Sequence, residues 1–319
     1  MEKGFWPKVD VLIPVYKPDR QFGRLLQMLM KQTCPINRII VVNTEERYWN
    51  QESCPLAGLE VHHVTRQEFD HGKTRNLAAG YSQAEIMVFM TDDAVPKDEY
   101  LVERLVEAVL QTGPGGEITA MAYARQLPAK DCGAIERFTR NFNYPNKGHI
   151  KTVKDLPELG IKTYFASNAC CAYRKDVFEK MGGFVNQAIF NEDMVYAAGV
   201  IKGGYAIAYA AEAAVIHSHN MTFLQQFHRN FDMAVSQADH PEVFGGLPSE
   251  GEGIRLVKKT AQWLFNTGRI QLIPRLILIS GSKYLGYFMG KRYKRLPRQM
   301  ILKCTMNRQY WERKWRGQA

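Results

Sequence analysis

The run Ile86-Met87-Val88-Phe89-Met90-Thr91-Asp92-Asp93-Ala94-Val95-Pro96 joins five apolar residues to two adjacent carboxylates. The apolar part has the length of a buried strand, and Pro96 stops its ladder. In an open α/β sheet, ligands bind beyond the carboxyl ends of the strands. Adjacent carboxylates there repel each other. A hard divalent cation relieves the repulsion and bridges to phosphate oxygens. Asp93 is therefore the candidate ligand of a metal–diphosphate site, with Mn²⁺ or Mg²⁺ as the ion. The plainer alternative is an Asp-rich turn capping a helix that starts near Asp98, and the dipeptide alone favours it.

Working outward, Val9 to Tyr16 reads as a strand, Gln21 to Lys31 as a helix, and Arg38 to Asn43 as a second apolar strand. Leu59 to Val64 is a third strand, Gly72 to Ala84 a helix, and Ile86 to Met90 the fourth strand. This alternation predicts a Rossmann-like, mostly parallel α/β sheet flanked by helices. No GxGxxG follows the first strand, so a dinucleotide fingerprint is absent. Further on, the pattern predicts a helix over Asp98 to Gln111 and a strand over Ile118 to Arg125. Asp131 to Lys162 is weakly patterned and reads as a loop over the site. Thr163 to Tyr173 reads as extended, Lys175 to Met181 and Glu192 to Lys202 as helices, Tyr205 to Tyr209 and Ala213 to His217 as short strands, and Thr222 to Asp239 as a long helix.

The 319 residues carry a net charge of +10, unevenly placed. From Ile254 to Ala319 there are 16 Lys and Arg against one acid, Glu312, giving +15; the rest of the chain is at −5. The chain therefore divides into a catalytic unit over residues 1–250 and a basic helical region over 251–319. Six cysteines lack metal-ligand spacing, which suits a reduced, cytoplasmic protein. Met1 to Asp10 has no apolar core and is not a signal peptide.

Five segments together resemble the family-two glycosyltransferases with the glycosyltransferase-A fold, and most of all bacterial rhamnosyltransferases. They are Ile13-Pro14-Val15-Tyr16, His71-Gly72-Lys73-Thr74-Arg75-Asn76, Thr91-Asp92-Asp93-Ala94, Ser167-Asn168-Ala169-Cys170 before Tyr173-Arg174, and Asn191-Glu192-Asp193. The match spans about residues 8 to 240. Thr91 stands where the family's Asp-any-Asp motif has its first acid. Asn43 stands where the family often has Asp.

The resemblance implies an inverting, metal-dependent transfer of a sugar from a nucleotide-sugar donor, dTDP-rhamnose, onto a glycan or lipid-linked saccharide acceptor. Asp93 would hold the metal, with His219 of His217-Ser218-His219 as a second ligand; in an extended segment His217 shares its face. Asp92 would meet either the metal or the ribose. Asp193 is the candidate general base, kept ionised by its helix N-terminus. Glu192 would position the acceptor or orient a neighbour. Lys73 and Arg75 at a helix start suit phosphate. Asp70 and Asn76 would orient the ribose or sugar ring, and Ser167 and Asn168 would line the sugar or acceptor pocket. Tyr16, after Pro14 at a strand end, would stack on the base, and Asn43 would hydrogen-bond a pyrimidine. Each residue has a plainer structural reading as well: capping for Asn191, Glu192 and Asp193, core packing for Tyr16, and a solvated face for Lys73.

The basic region carries Trp311 and Trp315 in a cationic run, and its longest apolar stretch, Ile270 to Met289, is broken by Pro274, Arg275 and Lys283. It predicts amphipathic helices on the inner face of a membrane, not a spanning helix. A homo-oligomer contact is the alternative, and a nucleic-acid partner is not expected. Two other functions compete: a transferase for another donor such as a UDP-hexose, and a non-catalytic glycan-binding homologue.

Overall fold

The computed structural model describes residues 6–50, 59–247 and 250–316. Among them nine strands form one mixed sheet: β1 Val9–Tyr16, β2 Arg38–Thr44, β3 Leu59–Val64, β4 Ile86–Met90, β5 Val95–Pro96, β6 Thr119–Leu127, β7 His149–Lys151, β8 Cys170–Arg174 and β9 Ala206–Ile216. Their order is β3-β2-β1-β4-β8-β6-β9-β5, with β7 also on β9. The β3-β2-β1-β4 half is parallel. β8 enters antiparallel between β4 and β6, and β6 and β9 run parallel. All five residues of β4 are buried, as an unbroken apolar run covered on both faces requires.

Alternation along the strands sorts the core into two layers. Val9, Val11, Ile13 and Val15 of β1, with Val88 and Met90 of β4, pack on helices α1 (Arg20–Leu29) and α3 (Leu101–Leu110). Leu12, Met87 and Phe89 face the other way, toward α2 (His71–Tyr81), α6 (Lys175–Lys180) and α7 (Glu192–Lys202). The remaining helices are α4 Ala134–Asn143, α5 Leu156–Leu159, α8 Phe223–Asp239, α9 Pro241–Phe244, α10 Glu250–Asn266, α11 Ile273–Lys291, α12 Arg298–Cys304 and α13 Arg308–Arg316.

Three expectations change. The weakly patterned stretch holds α4, whose Ile135, Phe138 and Phe142 recur at helical spacing, and the Arg140–Glu136 pair at 2.8 Å supports it. The extended reading of Thr163 to Tyr173 holds only from Cys170, because Gly160–Tyr164 is a 3₁₀ turn. The two short strands before His217 are one, β9, with an irregularity in its pairing to β6 between Ala210 and Ala214.

The C-terminal helices share cores with α4 and α8. Ile135 of α4, Leu264 of α10 and Leu276 of α11 form one cluster. Phe231 and Val235 of α8 form another with Tyr293, Ile301, Tyr310 and Trp311. Trp311 is fully buried, so it is not the surface anchor expected from its basic surroundings; Trp315, half-buried, packs beside it at 5.6 Å. Among the described residues no helix is long and apolar enough to cross a membrane.

Candidate active site

The carboxyl ends of β4 and β9 bring Asp93, His217 and His219 together, with one ligand atom from each within 4.8 Å of the others. Asp93 Oδ1 lies 3.3 Å from His217 Nε2, Asp93 Oδ2 3.4 Å from His219 Nε2, and the two Nε2 atoms are 3.1 Å apart. Gln126 fixes the tautomer of His217. Its Oε1 accepts from the cationic Arg140, so His217 Nδ1, 2.9 Å away, must donate to the same oxygen. The lone pair of a neutral His217 is then on Nε2, aimed at Asp93 and His219. Burial lowers His219 to about 4, with His217 adding to the effect, so its imidazole is neutral at pH 7. Burial raises Asp93, but whenever His217 and His219 carry a second proton, their charge and the His217 hydrogen bond outweigh burial and hold the carboxyl well below its usual range. Two imidazole lone pairs and a carboxylate converging on one point repel each other unless a cation or shared proton lies between them. The donor set therefore fits a divalent ion.

Asp92 points elsewhere. Its Oδ2 accepts from the Tyr16 backbone N–H at 3.2 Å, and burial raises it to about 6. It thus joins the end of β4 to the end of β1.

The second acidic pair opens α7. Asn191 before it has φ 61° and makes no side-chain cap; its amide donates to the Met233 carbonyl at 3.3 Å. Asn168 holds both acids. Its backbone N–H donates to Asp193 Oδ2 at 3.1 Å and its amide to Glu192 Oε1 at 3.1 Å. Tyr173 Oη in turn donates to Asn168 Oδ1 at 2.7 Å. Glu192 faces Arg75 at 3.1 Å in a buried pair. Arg75 is therefore turned into the protein and is not open to phosphate, as its place at a helix start had suggested. Burial raises Glu192, but Arg75, His71 and the Asn168 hydrogen bond together more than reverse this. Burial and the adjacent Glu192 charge push Asp193 up to about 7, so the expectation of a fully ionised helix-terminal carboxylate gives way to one that titrates near neutrality.

One network joins the two clusters. Gln126 Nε2 donates to Ser167 Oγ at 2.8 Å, Asn168 follows in the chain, and the Thr91 N–H donates to the Ala169 carbonyl at 3.2 Å. The 167–169 segment thus ties the Asp93 loop to Asp193.

At the end of β1, Tyr16 is 36% exposed, meets Tyr48 edge-on at 5.7 Å, and accepts from Arg66 at 3.2 Å. Lys17 lies over both rings. Pro14 lies within β1, half-buried. Asn43 is fully buried, with its amide nitrogen committed to Glu45 O at 3.1 Å and His63 at 3.0 Å and its Oδ1 without a partner. Asp70 caps α2 through Gly72 and Lys73. Asn76 clasps the backbone of Phe184. Asn76 is thus occupied structurally, whereas Asp70 Oδ2 is buried without a hydrogen-bond partner, 3.6 Å from Arg313. Lys73 is exposed. Beside His219 a small cleft of about 70 Å³ opens between α4, α8 and α11, lined by Glu136, Gln226, Arg275, Ile279 and Lys283. Gln126, Tyr48 and Arg66 escaped the sequence reading, and Lys283 entered it only as a break in an apolar stretch. None belongs to a motif, and only the tertiary contacts single them out.

The model of the family described as Glycosyl transferase family 2 matches residues 10–182. The chain is 36% identical to the O-antigen chain rhamnosyltransferase RfbN of Salmonella typhimurium, over 95% of this chain and 96% of that one. It is 35% identical to the O-antigen chain rhamnosyltransferase WbaN of Salmonella anatum, over 96% of each. Among solved structures, it is similar to a mannosyltransferase of Pyrobaculum calidifontis in complex with GDP-Man and Mn²⁺, at a TM-score of 0.56 and 14% identity, over 92% of this chain and 89% of that one. That likeness gives the glycosyltransferase-A fold.

Proposed function

The chain belongs to glycosyl transferase family 2 and is a glycosyltransferase, and we propose that it moves L-rhamnose from dTDP-rhamnose, with inversion, onto a saccharide or lipid-linked acceptor in cell-surface polysaccharide synthesis. The observation that carries this is the convergence of Asp93, His217 and His219 beside the Asn168-held pair Glu192 and Asp193. The rhamnosyl assignment is supported by the full-length likeness to two O-antigen rhamnosyltransferases.

Asp93, His217 and His219 would hold a divalent cation, and two imidazole donors favour Mn²⁺ over Mg²⁺. Such an ion supplies charge neutralisation to a departing nucleoside diphosphate. The chain's own residues supply the rest. Asp193 Oδ1 and Oδ2 accept from the Met194 and Asn168 backbone N–H groups, which fixes the carboxylate's direction. With its pKa near neutrality it can take the proton of an acceptor hydroxyl as that oxygen attacks the sugar. Arg75 keeps Glu192 ionised, and Glu192 in turn raises the basicity of Asp193. Tyr16 and Tyr48, with Lys17 and Arg66, make a cationic aromatic platform for the base. Asp92 would hold the ribose side, Ser167 and Asn168 the sugar side, and exposed Lys73 remains a solvent-side cation.

In this reading residues 1–250 carry the chemistry, and 251–319 hold the enzyme against the cytoplasmic face of a membrane. A thermal-shift screen of dTDP-rhamnose against UDP and GDP sugars, with and without Mn²⁺, tests it. A Mn²⁺-dependent preference for dTDP-rhamnose that Asp93→Ala abolishes is the expected result. Preference for a UDP-hexose would remove the rhamnosyl assignment, and undiminished donor affinity in Asp93→Ala would remove the metal site.

A further inference from the structure

On α11 the outward face is the apolar one. Ile277, Leu278, Tyr284, Leu285 and Phe288 are 64, 57, 66, 53 and 41% exposed. With Pro274 and Gly281 they recur every three or four residues, which on a helix makes one stripe about 120° wide. The helix is not free to turn and bury them. A Cβ at Gly286 would lie 2.2 Å from the Phe227 carbonyl oxygen, and one at Gly290 would lie 2.3 Å from that of Phe231. These two glycines let α11 press directly on the α8 backbone, and that contact fixes the stripe outward. A contiguous exposed apolar surface of this kind marks an interaction site.

The charge around the stripe indicates what covers it. Arg275, Arg292, Lys294, Arg295 and Arg298 are exposed on α11 or just beyond it. The Arg292 guanidinium sits 3.8 Å from the centroid of the Phe288 ring, at the end of the stripe. Glu312 is the one acid from Ile254 to Ala319. A second copy packed face to face would set these cations against their own counterparts. An anionic bilayer surface satisfies both features: the acyl boundary takes the stripe and the headgroups take the cations. The opposite side of the helix puts Ile279 and Lys283 into the cleft beside His219, with Arg275 at its edge.

We propose that α11 is an in-plane docking helix that seats Ile277, Leu278, Tyr284, Leu285 and Phe288 in an anionic leaflet. The cleft beside His219 then lies at headgroup height. This last clause rests on the lipid-linked acceptor reading and names the surface that would serve it. Trp311, buried in the core with Phe231, takes no part.

The test is flotation of the full chain with vesicles of phosphatidylcholine, alone or mixed with phosphatidylglycerol. Binding to the mixed vesicles only, weakening with salt, is expected. The pair Leu278→Glu and Leu285→Glu should lower it by at least about tenfold. Arg292→Gln with Arg295→Gln should weaken it less and flatten its salt dependence. Hydrolysis of dTDP-rhamnose without vesicles should be unchanged in both pairs. Equal flotation of parent and Glu pair, or no flotation of the parent, overturns the proposal. So does a parent dimer on size exclusion that the Glu pair converts to monomer. If the parent floats but turns over no nucleotide sugar, the transferase reading fails and the docking surface stands; turnover without flotation is the reverse.

Discussion

The Arg75 guanidinium lies 3.1 Å from Glu192 Oε1, with both side chains under a tenth exposed, at 6 and 8%. The pair sets the protonation of the carboxylate next to it. Arg75 keeps the buried Glu192 charged, and that charge, added to burial, lifts Asp193.

A pH profile follows with a definite sign. Only ionised Asp193 can accept a proton, so turnover should rise with pH through about 7. In Glu192→Gln the neighbouring negative charge is gone while Arg75 remains. Both changes lower the Asp193 pKa, so the acid limb of kcat should move to lower pH. An unmoved limb would mean that another group sets it. Because the folded pKa of Asp193 is raised, its ionisation also costs stability, which is greatest below the ordinary carboxylate pKa and declines as pH climbs toward about 7.

Asp193→Asn should leave donor affinity intact and lower kcat by roughly 10²–10⁴-fold. Isothermal titration with donor and Mn²⁺, beside steady-state kinetics, separates the two effects. A matching loss of donor affinity would assign Asp193 to binding instead.

Gln126 touches none of the reacting groups expected here; it orients His217 through Nδ1. Gln126→Leu should weaken Mn²⁺ binding by roughly 10–100-fold. Manganese paramagnetic resonance reads this in the absence of donor, so a general effect on turnover cannot imitate it. Unchanged Mn²⁺ affinity would leave Gln126 a purely structural link to Ser167.

Trp311 is wholly buried between Tyr293, Tyr310 and Trp315. Trp311→Ala should cost about 3–5 kcal/mol of stability, measured by urea denaturation. If stability held while vesicle binding fell, Trp311 would be a membrane anchor after all.

Gly286→Ala places a methyl against the Phe227 carbonyl oxygen. Overpacking of this kind costs about 1–3 kcal/mol. Thermal unfolding should show the loss, whereas Gly281→Ala, with open space at its Cβ, should show none.

β1, β2 and β4 could be read from the chain because each is largely an apolar run, β3 because Leu59 and the β-branched Val61 and Val64 set off a mixed segment, and α7 because its periodicity starts at Glu192 and stops at Gly203. α4 was hidden because Gly, Pro and Asn surround it and its apolar face is short. Arg75 illustrates a different limit. A cation at a helix start suits phosphate as well as a buried carboxylate, and only the fold shows that Glu192 comes within reach.

By itself the sequence determined the alternation of strands and helices, the place of Asp93 at a strand end, and the acidic start of α7, since all of these follow from local periodicity and nearest-neighbour chemistry. Tertiary structure alone decided that His217 and His219 both meet Asp93, that Arg75 turns inward, and that the apolar face of α11 points out while Trp311 points in. Those outcomes depend on how segments far apart in the chain pack, and burial and pairing are properties of that packing and not of any one segment.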